Sequence, residues 1–194
     1  MKNNKGTLVL FSGPSGVGKD TVLEIVLNKD TTLQKSVSCT TRGIRENEID
    51  GKDYYFISVS DFEKLIDNNE VLEYAKYGSN LYGTPKAPVD KWLEEGKIVI
   101  LKIEVQGAGN IKKIYPDAVG IFVLPPSMDE LENRLRSRGT ENEDDIIRRL
   151  EIARNEIEQS NNYDYLVIND DLEKASENIL EILHNLHKWG KKYV

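Results

Sequence analysis

Residues 13–20 read Gly-Pro-Ser-Gly-Val-Gly-Lys-Asp, and their G-x-x-x-x-G-K spacing is that of a loop that cradles phosphate. Across Gly13, Pro14, Ser15, Gly16, Val17 and Gly18 the chain can wrap closely enough for backbone N–H groups to face phosphate oxygens. The helix expected next adds partial positive charge at its N-terminus, and Lys19 adds a full one. Where a hydroxyl should reach a magnesium ion stands Asp20, followed by Thr21. An ordinary glycine-rich turn would not combine this spacing, this lysine and a preceding apolar strand.

Phosphoryl transfer needs positioning and charge neutralisation more than covalent chemistry, so arginines and magnesium are expected instead of a histidine relay. The two histidines, His184 and His187, read as a surface pair on a terminal helix. Arg42 and Arg45, with Ser38 and Tyr54 nearby, could clamp one phosphate group, or could form a salt-bridged strand end. Glu73 could accept paired hydrogen bonds from guanine's ring N–H and exocyclic amine, or be an exposed strand glutamate. A phosphate monoester acceptor, with a second pKa of about 6, needs no general base at neutral pH.

The elements that must position these groups alternate. "GTLVLFSG", "KIVILKIEV", "AVGIFVL" and "YDYLVI" read as strands; "DTVLEIVLNK", a segment from about Ala108 to Ile114, a stretch after Pro126 and the C-terminal region read as helices. That order predicts an α/β fold with a mostly parallel sheet covered on both faces. Between about Ser36 and Pro88 the pattern changes to short strands, "DYYFIS" and "EVLEYAKYG", around one helix whose start, "SDFE", has capping-box spacing. From Arg134 to Arg149 five arginines alternate with acids around Gly139, a pattern suited to a mobile lid.

The 194 residues suffice for one sizeable core with a small insertion. A net charge of −7 and a pI near 5.0 argue against a general nucleic-acid binder. The lone Cys39 excludes an internal disulfide framework, and no Cys/His cluster suggests zinc. No apolar run is long enough for a membrane span, so a soluble, cytoplasmic protein is expected. The basic end "HKWGKKYV" reads as a solvated helix end without assigned function.

Seven blocks, in order, resemble the guanylate kinase family: "GPSGVGK" (13–19), "TTRGIRENEIDGKDYYF" (40–56), "VLEYAKYGSNLYGT" (71–84), "VQG" (105–107), "PPS" (125–127), "RLRSRGT" (134–140) and "NDD" (169–171). The resemblance implies a three-layer P-loop kinase that passes the γ-phosphate of ATP to GMP, with Mg2+, in purine nucleotide metabolism. It implies a core of residues 1–35, 90–133 and 150–194, a GMP-binding subdomain at 36–89 and a lid at 134–149. Ser38, Arg42, Arg45, Tyr54 and Tyr82 would hold the GMP phosphate; Glu73 and Thr84, with Glu104 in the same site, would serve the guanine. Lys19, Arg42, Arg134, Arg138 and Arg149 would stabilise the transferring phosphate, and Asn169 would complete the ATP site or merely cap a helix. The partners implied are ATP and GMP, with no nucleic acid or membrane, in a monomer or homodimer.

Two departures from the family pattern are opposite in sign. Asp20 stands where Ser or Gly is usual, and Lys102 stands where an acid is common. They are expected to compensate, either as an ion pair beneath the phosphates or with Asp20 binding magnesium through water. Ile44 replaces a frequent proline without altering the arginine spacing. Asp20 also keeps open a rival reading, a guanylate-kinase-like protein-binding domain with impaired catalysis. A third reading is a related P-loop kinase for another small acceptor.

Overall fold

Leu8, Val9, Leu10 and Phe11 are each at most 4% exposed in the computed structural model, which describes residues 6–46, 48–137, 139 and 142–188. Such an unbroken apolar run belongs to a strand covered on both faces. It forms β1 (Thr7–Ser12), which pairs in parallel with β7 (Ile98–Lys102) on one side and β8 (Val119–Leu124) on the other. The edges are β2 (Gln34–Lys35) and β9 (Tyr165–Ile168), giving the order β2-β7-β1-β8-β9 with every pairing parallel.

Residue parity divides the core. Val9, Phe11, Ile98, Ile100, Ile121 and Val123 face α1 (Lys19–Lys29), α5 (Met128–Ser137), α6 (Glu143–Glu158) and α7 (Leu172–Lys188). Leu8, Leu10, Val99 and Leu101 face α3 (Lys86–Glu94) and α4 (Val105–Ile114). Since strand side chains alternate, Lys102 continues the face of Ile98 and Ile100 and emerges beside α1.

"KIVILKIEV" is shorter as a strand than its apolar pattern suggests. It ends at Lys102, because Glu104 is already the N-cap of α4. The insertion holds a second sheet ordered β4 (Tyr55–Phe56), β3 (Cys39–Thr40), β6 (Asn80–Pro85) and β5 (Val71–Tyr77). Only Tyr55 and Phe56 of "DYYFIS" pair as a strand. α2 (Val59–Asp67) starts before "SDFE": its cap is Ser58, which accepts from the Asp61 N–H at 3.1 Å and donates to the Asp61 carboxylate at 2.7 Å. Phe62 of α2 is fully buried against Tyr74 and Gly83 and fastens the helix to the small sheet.

Within the expected lid, Leu135 and Ile146 are buried in the α1-side core, while Arg136 joins α5 to α6 through Glu143 at 2.6 Å. Arg138 and the basic tail 189–194 lie outside the described residues. His184 meets Asp30 at 3.0 Å, at the end of α1 remote from Lys19. Among the described residues no helix is long and apolar enough to cross a membrane.

Candidate functional site: a phosphate loop and a half-buried carboxylate

The loop between β1 and α1 is shaped by glycine. Gly16 and Gly18 take φ of +89° and +93°, a region L side chains rarely adopt. A Cβ on Gly18 would meet Asn169 Nδ2 at 2.7 Å. That amide donates to the Val17 carbonyl at 2.7 Å, and Asn169 is only 2% exposed. Asn169 is therefore a brace beneath the loop. The helix-cap contact falls to Asp171, whose carboxylate accepts from the Lys174 N–H at 2.9 Å.

Lys19 donates to the Gly13 and Pro14 carbonyls, so its ammonium lies against the loop. Burial lowers its pKa to about 8, against the opposing pull of Glu156 and Asp20. Arg134 reaches the Val17 carbonyl at 3.4 Å and Glu130 at 2.9 Å, and Arg149 donates to Ser15 Oγ at 3.1 Å. Two of the three arginines expected around the phosphates thus converge on the loop. Arg136 and Arg148 instead pair with neighbouring acids, as a solvated helical face requires. Thr21 is exposed on the first turn of α1.

Asp20 and Lys102 form the expected ion pair, Lys102 Nζ donating to Asp20 Oδ1. Partial desolvation pushes the Asp20 carboxyl up, but Lys102, then Lys19 and Lys35, outweigh it and hold the acid below its usual range. Among the described residues no group of three His, Cys, Asp or Glu side chains is placed to enclose a metal ion. Mg2+ does not require one, since it keeps several waters and binds through one or two carboxylates plus substrate phosphates. Asp20, 77% exposed at its side chain, and the exposed Glu104 are acids beyond the carboxyl ends of β1 and β7, so the residues fit a hydrated magnesium ion carried on nucleotide phosphates.

Across the opening, the β5–β6 ladder slips: Val71 faces Pro85 but Tyr74 faces Gly83, so β5 carries one extra residue. Glu73 lies in this bulge and accepts from Thr84 Oγ1 at 2.9 Å. Burial raises the Glu73 pKa, with Thr84 opposing and Glu104 adding to the rise. Gly107 lets the first turn of α4 approach closely, since a Cβ there would lie 3.1 Å from Glu73 Oε2. Glu104, at the head of α4, is within electrostatic reach of both Lys19 and Glu73 and so links the two halves of the site.

Arg42 stacks on Tyr54 and Phe56 at 5.4 and 5.5 Å, and Tyr82 closes the group edge-on to Tyr54. Ser38, just before β3, accepts the Tyr55 N–H at its carbonyl, and Arg45 is exposed beside the cluster. Glu48 holds the Arg42 fork, an assignment absent from the sequence reasoning. Glu156 was also missed. It lies seven residues beyond Arg149, two turns along one face of α6, and that spacing was a usable signal. A groove of about 1500 Å3 along β9 and α7, lined by Tyr165, Leu166, Ile168 and Ile182, includes none of the phosphate-loop residues.

A parallel sheet with a braced phosphate loop, convergent arginines and a facing inserted sheet defines a P-loop kinase. The guanylate kinase family model matches residues 5–186. Guanylate kinase of Bacillus cereus is 50% identical over 188 residues, 96% of this chain and 92% of that protein. The enzyme of Oceanobacillus iheyensis is 48% identical over 187 residues, covering 96% and 91%. The crystal structure of guanylate kinase from Anaplasma phagocytophilum superposes with a TM-score of 0.77 at 35% identity, covering 93% of this chain and 86% of that one. The chain belongs to the guanylate kinase family.

Proposed function

We propose that this chain transfers the γ-phosphate of ATP to GMP, giving ADP and GDP, with the phosphate loop as donor site and the inserted sheet as acceptor site. What supports this reading is that Glu104, at the head of α4, lies within electrostatic reach of both Lys19 of the phosphate loop and Glu73 of the inserted sheet.

Each residue then has a role. Loop N–H groups and Lys19 hold the ATP phosphates, while Arg134, Arg138 and Arg149 neutralise charge as the phosphoryl group moves. Arg42 and Arg45, with Ser38, Tyr54 and Tyr82, fix the GMP phosphate, whose ionised oxygen attacks without a general base. Glu73 and Thr84 read guanine, and Glu104 orders the nucleotide between the two halves. Magnesium, held through water by Asp20 and by phosphate oxygens, would offset the charge of the polyphosphate. Closure of segment 36–89 and lid 134–149 over the core excludes water, so phosphate reaches GMP instead of hydrolysis. The enzyme would act in the cytoplasm as a monomer or homodimer.

Asp20, the ground for the protein-binding alternative, is neutralised by Lys102, which favours the kinase reading. Initial rates with GMP, dGMP, AMP and UMP side by side test the acceptor. A clear preference for the guanine nucleotides is expected; equal use of AMP or UMP would reject Glu73 as the base reader.

A further inference from the structure

Three lysines act electrostatically on one carboxylate at the loop. Asp20 lies within electrostatic reach of Lys19, Lys35 and Lys102, and of these Lys102 makes the ion pair. Lys19 is folded onto the loop's own carbonyls, and Lys35 also senses Glu24 and Asp53. Lys102 ends β7, whose partner β1 runs directly into the phosphate loop: Phe11 is opposite Lys102. The carboxyl ends of parallel strands are where such sheets bind ligands. Strand parity aims Lys102 at α1, and its side chain is 27% exposed, enough to exchange partners.

We propose that Lys102 is a second phosphate-binding lysine of the transfer site, and that Asp20 is its positioning residue, holding the ammonium at the loop mouth until nucleotide phosphates displace the carboxylate. This inference rests on the kinase reading and adds a residue to it. The exchange swaps one anionic oxygen for another and leaves Lys102 paired throughout, so no desolvated charge is stranded. It also makes part of the nucleotide's affinity independent of metal, because an ammonium does work otherwise left to magnesium.

The two halves of the pair should therefore respond in opposite directions. ADP binding is measured by calorimetry in EDTA and again with magnesium, for wild type, Lys102→Met, Lys102→Arg and Asp20→Asn, with circular dichroism confirming that each is folded. Lys102→Met is expected to weaken metal-free ADP binding about tenfold, the loss of one charge-assisted contact. Lys102→Arg retains most of the affinity, and in EDTA Asp20→Asn tightens binding because a negative charge beside the phosphates is gone; with magnesium, which Asp20 would hold through water, that gain is lost. Wild-type affinity in Lys102→Met, or equal weakening by Asp20→Asn and Lys102→Met, overturns the proposal and leaves a structural ion pair. Wild-type binding that vanishes in EDTA but returns with magnesium overturns the proposal while sparing the kinase reading. No ADP binding under either condition defeats both.

Discussion

Glu48 grips the guanidinium of Arg42 through two parallel hydrogen bonds of 2.8 Å, in a niche that leaves the arginine side chain 12% exposed. The same carboxylate accepts the Arg45 backbone N–H at 2.8 Å, so one residue sets the geometry of both arginines. A bidentate arginine is directional, and fixing it before the ligand arrives lowers the entropic cost of binding.

Glu48→Gln should thus raise the KM for GMP about tenfold while changing kcat and the KM for ATP much less, a split that steady-state kinetics reads directly. The Arg42 hydrogen bonds carry the Glu48 pKa down to about 2. Because the folded value lies below the ordinary 4.5, the pair stabilises the fold above that ordinary value and its contribution fades as pH falls through about 2. Carboxyl NMR titration of the ligand-free protein should show Glu48 still ionised at pH 4.

Glu73 shifts the opposite way. Burial raises its pKa, so its ionised form is lost at a higher pH than that of an exposed glutamate. The preference for GMP over IMP, which lacks the exocyclic amine, should hold at pH 7.5 and shrink as pH falls through this raised value. Glu73→Gln should abolish most of the preference, about 1–3 kcal/mol for a bidentate base contact. Calorimetric affinities for both nucleotides at several pH values check this, and an unchanged ratio in the variant would contradict it.

Asn169→Ala removes the side-chain donor that reaches the buried Val17 carbonyl. That carbonyl then keeps only the longer 3.4 Å contact from Arg134, so the loss is about 1 kcal/mol, the net worth of one hydrogen bond, and in a protein of this size each kcal/mol lowers Tm by roughly 2–4 °C. Thermal unfolding should show that drop, together with weaker ADP binding because the brace under the loop is gone.

Lys19, lowered to about 8 by burial, is partly neutral in the ligand-free protein at mildly alkaline pH. Its folded pKa is below the ordinary 10.5, so the unfolded chain holds the extra proton and this group favours folding as pH rises between the two values. Arriving phosphates favour the charged form, so ADP binding at pH 8.5 should take up protons. Titration in buffers of different ionisation enthalpy measures that uptake, and Lys19→Met should abolish it.

The chemistry was more legible in the sequence than the small sheet. Leu8 to Phe11 and Ile98 to Leu101 announce a buried parallel sheet because burial on both faces leaves an unbroken apolar run. The loop glycines and the opposite charges of Asp20 and Lys102 are local signals as well. The strands of two residues, Cys39–Thr40 and Tyr55–Phe56, have no period to read: the first exists through tertiary pairing with Tyr82 and Gly83, the second through pairing with the first. The bulge that aims Glu73 depends on the register between β5 and β6, and neither strand encodes that alone. Glu48 hides for a related reason: its partner Arg42 is six residues away across a loop without helical or strand periodicity.

The most direct test of the account is ADP formation from ATP and magnesium, with and without GMP, at limiting and saturating ATP. The account predicts turnover that depends on GMP and yields GDP in equal amount. GMP binding without ADP formation would contradict it, showing that the loop carrying Asp20 holds nucleotide but does not transfer phosphate.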